Sequence, residues 1–208
     1  LTAVRSHGRS PRLELYVVSK TRLEAFSDGV IAILITIMVL ELKTPRGTGW
    51  SALQSMETDL YTYALSFVFV GIYWNNHHHM LHAAQHVNGK VLWANMHLLF
   101  WLSLVPFVTT WMGETDLARV PTAVYGIVLV GCAVSYTILQ TALIGAQPSG
   151  SVLERAVGND LKGKLSIAFY LTAIGMAFFV PVLSAGLYLL VAAIWFVPDR
   201  RIERTIKA

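Results

Sequence analysis

Apolar residues gather in long blocks along this chain, and short polar stretches separate the blocks. The first block predicts a helix from about Arg22 to Lys43, stopped by the breakers Pro45-Arg-Gly-Thr-Gly49. A second helix is expected from about Leu60 to Met80, and Asn88-Gly-Lys90 closes the turn after it. The third runs from Val91 to Met112, with Gly113, Glu114 and Asp116 marking the next loop. The fourth covers about Val120 to Ile144 and ends before Gln147-Pro-Ser-Gly150. After a polar stretch, Leu165 to Pro198 holds 34 residues without a charge. As one helix it would measure roughly 51 Å, against a hydrocarbon core of roughly 30 Å. Pro181 near its middle, followed by Ser184-Ala-Gly186, predicts two short helices with a tight turn near Pro181 to Ala185.

Composition turns these helices into membrane spans. Hydrophobic residues make up 55% of the 208 and charged residues only 13%, where a soluble domain carries about a quarter charged. The expected fold class is all-α: an integral membrane bundle of six transmembrane helices over residues 21–200, with a basic arm at 1–20 and a basic tail at 201–208. The arm lacks the apolar core and cleavage site of a signal peptide, and a short interfacial helix is expected around Leu13 to Val18. The single cysteine, Cys132, excludes an intrachain disulfide.

The net charge of +4 reads as orientation and not as nucleic-acid binding. With six spans both termini share a side, which then holds thirteen of the sixteen Lys and Arg residues; Lys43, Arg46 and Arg119 are left on the other. The positive-inside rule makes the first side cytoplasmic. Five spans would put Arg200, Arg201, Arg204 and Lys207 outside, so six is preferred. No hydrolase, redox or phosphate-cradling motif is visible, and an enzyme is not expected. Without a soluble domain, ATP-driven transport is not expected either.

The first helix carries a puzzle. Between Asp28 and Glu41 lie only twelve uncharged residues, roughly 18 Å of helix, so at least one carboxylate sits at or inside the membrane boundary. An ionisable residue within a span is a functional candidate and usually faces the bundle interior. At 100° per residue, Ile33, Thr36 and Leu40 fall within about 60° of one another with Ile37 beside them, while Asp28 lies about 140° from Ile33. Arg22 lies about 120° from Asp28 and does not pair with it within the helix. Ser27 and Asp28 therefore face something other than the Ile33–Leu40 stripe. One face of the helix docks on partner helices; the other meets lipid or an axial cavity.

Arg22-x-x-x-Phe26-Ser27-Asp28 resembles the first-helix signature of the transmembrane protein 175 family of potassium channels, and the likeness continues through Gly29, Ala32, Thr36, Val39 and Glu41-Leu42. Trp74-Asn-Asn76-His77-His78 is similar to the polar end of that family's second helix, and Leu99-Phe-Trp-Leu-Ser-Leu-Val-Pro-Phe107 to its third. The resemblance implies a cation channel with modest potassium selectivity, in a bacterial cell membrane, with potassium as the permeant species and no cofactor. A chain with one six-helix repeat implies a homotetramer lined by its first helices. Carried over by position, Ile33 and Leu40 become hydrophobic constrictions and Thr36 a polar ring between them, with Ile37 a weaker candidate. Phe26, Ser27 and Asp28 lock the first helix to its neighbours, with His77, Asn76, and Trp101 or Asn95 as counterparts.

Such a pore has a physical logic of its own. No Thr-Val-Gly-Tyr-Gly stretch is present, which excludes a carbonyl filter of the usual kind. Four Ile33 side chains on an axis make a dewetted neck, and partial dehydration favours potassium, which sheds water more easily than sodium. Thr36 hydroxyls replace some of the lost water, and Glu41 concentrates cations at the outer mouth. An alternative is a proton channel or proton-coupled transporter using Asp28 and His77.

The stretch Asn75-Asn-His-His-His-Met-Leu-His-Ala-Ala-Gln-His86 demands its own decision. His78, His82 and His86 repeat at i, i+4, i+8 on one helical face, a spacing that can chelate zinc. No Glu or Cys accompanies them, so no metal site is assigned. His77 is expected in the Ser27–Asp28 network and His79, His82 and His86 at the cytoplasmic interface; histidine at that position also allows pH-sensitive gating. Gln140, Thr141 and Ser66 are expected to bond between helices, and Gly126, Gly131, Ala173 and Ala177 to permit close helix approach. Trp50, Trp93, Trp111 and Trp195 fall near span ends, as interfacial aromatics do.

Overall fold

A computed structural model describes residues 20–157 and 160–196. The basic arm, the C-terminal tail and the proposed helix at Leu13 to Val18 lie outside the described residues. The described chain is all-α. It runs α1 (Lys20–Leu40), α2 (Trp50–Gln54), α3 (Glu57–Ala83), α4 (Gly89–Ser103), α5 (Val105–Glu114), α6 (Arg119–Gly145), α7 (Val152–Val157), α8 (Leu161–Ala177) and α9 (Pro181–Phe196). The spans are α1, α3, α4 with α5, α6, α8 and α9. Three segments, Lys20–Leu40, Gly89–Glu114 and Arg119–Gly145, are long and apolar enough to cross a membrane on length and composition alone. The chain is a membrane protein.

Local chemistry sets the helix ends. Glu57 and Asp59 occupy the first turn of α3, where carboxylates favour the positive end of the helix dipole. Asn88 caps α4 by accepting from the Val91 amide at 3.1 Å. Asp160 caps α8 through the Gly163 amide at 3.0 Å.

Two boundaries depart from expectation, and proline explains both. The third span is not one helix: it breaks at Leu104, between α4 and α5. Pro106 has no N–H to offer the Leu102 carbonyl, and its ring crowds the preceding turn. The Leu104 amide instead makes a tight bond to the Trp101 carbonyl at 3.2 Å, and the helix restarts when the Val108 amide bonds the Leu104 carbonyl at 3.1 Å. The last turn falls at residues 178–180, not at Pro181 to Ala185. Pro181 opens α9, where its fixed φ and missing donor cost nothing. Ser184 and Ala185 are consequently helical and buried. The Ser184 hydroxyl donates to the Ala173 carbonyl of α8 at 2.7 Å.

Helix α6 is the hub, packing on α4, α5, α8 and α9. It achieves this with glycines at the contacts: a side chain at Gly126 would collide with Tyr188 and Ile174, and one at Gly131 with the Trp101 ring. Buried hydroxyls stitch the helices together. The Thr109 hydroxyl of α5 pairs with the Ser66 hydroxyl of α3 at 2.6 Å, Ser66 pairs with the Tyr125 hydroxyl of α6 at 2.9 Å, and Tyr188 of α9 donates to the Thr122 carbonyl at 3.0 Å. Thr141, expected to bond across helices, instead donates to the Thr137 carbonyl of its own helix.

Candidate pore helix and its anchor

Helix α1 packs on α3, α4 and α5. Its buried positions are Leu23, Ser27, Ile31, Leu34 and Met38, spaced by three or four residues along one stripe. The opposite stripe, Arg22, Phe26, Gly29, Ile33, Thr36, Ile37 and Leu40, is exposed throughout. Ile33 is 58% exposed and Leu40 80%, large values for branched aliphatic side chains on an interior-forming helix. The candidates are thus sorted to different sides, and Phe26, expected to lock the helix to its neighbours, lies on the outward one, 51% exposed. Ser27 points into the subunit; Ile33, Thr36, Ile37 and Leu40 point away from it.

The inward side carries a buried hydrogen-bond chain across three helices. Asn95 of α4 donates from Nδ2 to Ser27 Oγ at 2.9 Å. Its Oδ1 lies 2.7 Å from His77 Nε2 of α3. A carboxamide oxygen only accepts, so Nε2 carries the proton. Ser27 passes its own proton to the Leu23 carbonyl at 2.9 Å. Ser27 and Asn95 are fully buried and His77 nearly so. Buried polar groups paired in this way fix one helix register against another.

Asp28 has a separate partner: Trp74 Nε1 donates to Asp28 Oδ1 at 2.9 Å. Asp28 and His77 are not hydrogen-bonded to each other. The Trp74 ring continues into a stacked series along α3, with His78 at 5.9 Å and His82 a further 6.1 Å beyond. Lys20 anchors the start of α1 by donating to the His82 carbonyl at 3.0 Å. It also lies 3.7 Å from Glu24.

Two of the expected counterparts are elsewhere. Asn76 turns back on its own helix and donates to the Ile72 carbonyl at 2.8 Å, because it sits about 100° around α3 from His77. Trp101 packs on Gly131 and donates to His97 at 3.0 Å, six residues past Asn95 and so nearly two turns too far along α4 to reach Ser27. Trp74 was the partner sequence reasoning missed, although it stands one turn before His77 and His78 on the same helix. Gln147 was missed as well. From the loop after α6, its Oε1 accepts from the Gln85 and His86 amides at 2.8 and 3.1 Å, and its Nε2 donates to the His86 carbonyl at 2.9 Å. It clamps the chain that leaves α3.

At the other end of α1, Lys43 forms an ion pair with Glu114 of α5 at 2.6 Å. The Glu114 hydrogen bond and charge hold the Lys43 ammonium above its ordinary range. Thr36, in the middle of the exposed stripe, donates its hydroxyl proton to the Ile33 carbonyl at 2.8 Å.

Ser27, Asp28, Trp74, His77 and Asn95 lie in a segment, 22–106, that matches the model of the endosomal/lysosomal potassium channel TMEM175 family. A potassium channel of Chryseobacterium sp. (strain P1-3) is 50% identical over 190 residues, 91% of this chain and 99% of that protein. The chain belongs to the TMEM175 family. The crystal structure of a lysosomal potassium-selective channel TMEM175 homolog from Chamaesiphon minutus superposes with a TM-score of 0.76 at 26% identity, covering 86% of this chain and 97% of that one. The endosomal/lysosomal proton channel TMEM175 of Gallus gallus is 25% identical over 146 residues, 65% of this chain and 28% of that protein.

Proposed function

We propose that this chain is the subunit of a potassium-preferring cation channel, with four copies arranged around an axis and α1 lining the pore. The observation that carries the proposal is the two-sidedness of α1. One side is fixed by a buried hydrogen bond to α4, which α3 joins through Asn95, and the other leaves Ile33, Thr36, Ile37 and Leu40 exposed on the subunit surface. The names of the Chryseobacterium and Chamaesiphon relatives, a potassium channel and a potassium-selective channel, support the same reading. Potassium is then the permeant species and no catalytic step is involved. Both termini face the cytoplasm of a bacterial inner membrane.

The selectivity mechanism follows from side-chain chemistry. A ring of Ile33 side chains forms a neck that a fully hydrated ion cannot pass without losing water. The loss is smaller for potassium than for sodium, so the neck ranks the two ions without binding either. The Thr36 hydroxyl has given its proton to the Ile33 carbonyl, so its oxygen offers lone pairs outward and stands in for a lost water. Leu40 forms a second constriction nearer the outer end, below Glu41, whose charge raises the local cation concentration. Asn95, His77 and Trp74 touch no ion. They set the rotation of α1 and hence which side chains reach the axis.

The test is potassium and sodium flux through purified protein in liposomes. Ile33→Asn is expected to raise conductance and erode the preference for potassium. An unchanged ratio would remove Ile33 from the pore. The avian relative's name, a proton channel, keeps proton conduction as a second reading. Under a pH gradient that reading requires the reversal potential to follow protons and Asp28→Asn to abolish the current.

A further inference from the structure

We infer that the chain holds an anionic phospholipid in a surface groove where the start of α4 crosses the end of α6. Adjoining hollows between the two helices share Gly89, Lys90, Ile138 and Ala142. No carboxylate lines either hollow. Two kinds of donor meet at one end. Lys90 is exposed and has no acidic partner among the described residues. The amides of Gly89 and Lys90 begin a 15-residue helix, so they have no intrahelical acceptor and sit at its positive pole. His97 lies seven residues further along α4, roughly 10 Å from Lys90; it is exposed, and its Nε2 accepts from Trp101 at 3.0 Å, so the proton of the neutral ring is on Nδ1 and can be donated to a group deeper in the groove.

Between Lys90 and His97 the groove is apolar. Ala94, Ile138 and Ala142 line it, and their small or slender side chains leave room for an acyl chain. Trp93 stands at the rim, 79% exposed, the place of an interfacial aromatic. The end of the bundle involved is also fixed: Lys20, at the start of α1, bonds the last turn of α3 only a few residues before Lys90. A headgroup phosphate at that depth meets Lys90 and the α4 amides while its chains follow Ile138. A zwitterionic lipid brings the same phosphate with a compensating ammonium, which Lys90 disfavours. Basic pockets between spans select anionic headgroups for this reason.

Native mass spectrometry of the full-length purified protein tests this directly, with added phosphatidylglycerol or phosphatidylcholine as probe. Phosphatidylglycerol should stay bound through higher collision energy than phosphatidylcholine, at one molecule per chain. Lys90→Gln should weaken phosphatidylglycerol retention about fivefold and leave phosphatidylcholine unchanged, since one Lys near an anionic headgroup contributes about that factor. Ala142→Trp fills the groove without altering charge and should reduce retention of both lipids. Glycerol phosphate alone should not displace the lipid. Equal retention of the two lipids, an unchanged Lys90→Gln profile in a folded protein, or displacement by glycerol phosphate would each overturn the assignment. None of these outcomes bears on the pore, because no flux is measured.

Discussion

Replacing Asn95 with Leu removes the centre of the anchor while keeping its volume. The structure apportions the loss. Ser27 loses an incoming donor but still gives its own proton to the Leu23 carbonyl at 2.9 Å, so its share is close to nothing. His77 is different. Among the described residues its Nε2 proton has Asn95 as its only acceptor, and the residue is 1% exposed. An unsatisfied donor of this kind costs about 1–3 kcal/mol. Interhelical hydrogen bonds in membranes fall toward the low end, so about 1–2 kcal/mol is expected. Ser27→Ala should cost about 1 kcal/mol, because it strands an Asn95 N–H in the same buried space. Once Asn95 is Leu there is no N–H left to strand. The double variant should therefore be no less stable than Asn95→Leu alone, giving a coupling of about 1 kcal/mol. Reversible unfolding in mixed micelles, monitored by circular dichroism, measures all three. Strictly additive losses, or an Asn95→Leu variant within about 0.3 kcal/mol of the parent, would show that the three side chains do not act as one unit.

Other substitutions probe different parts of the account. Asp28→Asn keeps an oxygen that can accept from Trp74, so the protein should still fold and assemble; Asp28→Leu should lower its melting temperature. Thr36→Ala should lower the potassium-to-sodium flux ratio less steeply than Ile33→Asn, measured in the same liposomes. Gly131→Leu drives a side chain into the Trp101 ring and should cost about 1–3 kcal/mol or prevent accumulation, read by size-exclusion profile. Gln147→Ala frees two amides and two carbonyls at the α3–α6 junction, and faster hydrogen exchange confined to residues 84–88 is the expected signature.

The span pattern was legible because long apolar blocks leave few alternatives to helices. Boundaries were less so where one residue type has two uses. Proline stops a helix in mid-span and starts one at its first position; at Pro106 and Pro181 the sequence does not say which until the neighbouring packing is known. The site divided in the same way. Periodicity alone separates Ser27 from the Ile33–Leu40 stripe, since both belong to one helix of known pitch. Partners across helices depend on register and rotation, which no single helix encodes. Asn76 and Asn95 are both amides in apolar surroundings, and only the docking of α3 against α4 decides that Asn95 reaches Ser27. Trp74 is a polar partner in an apolar guise, one indole N–H on a large ring, and the sequence alone does not say that it, rather than Trp101, faces the first helix.

The direction of one hydroxyl has a consequence for ions of the opposite sign. Because Thr36 spends its proton on its own backbone, the outward edge of that side chain contains an oxygen and a methyl but no donor. A chloride ion arriving beside it would find only electron density facing electron density. In the proposed pore, discrimination against halides at this level of the helix therefore needs no carboxylate, and a serine that kept the same internal bond would preserve it while an asparagine, whose amide turns two N–H groups outward, would not.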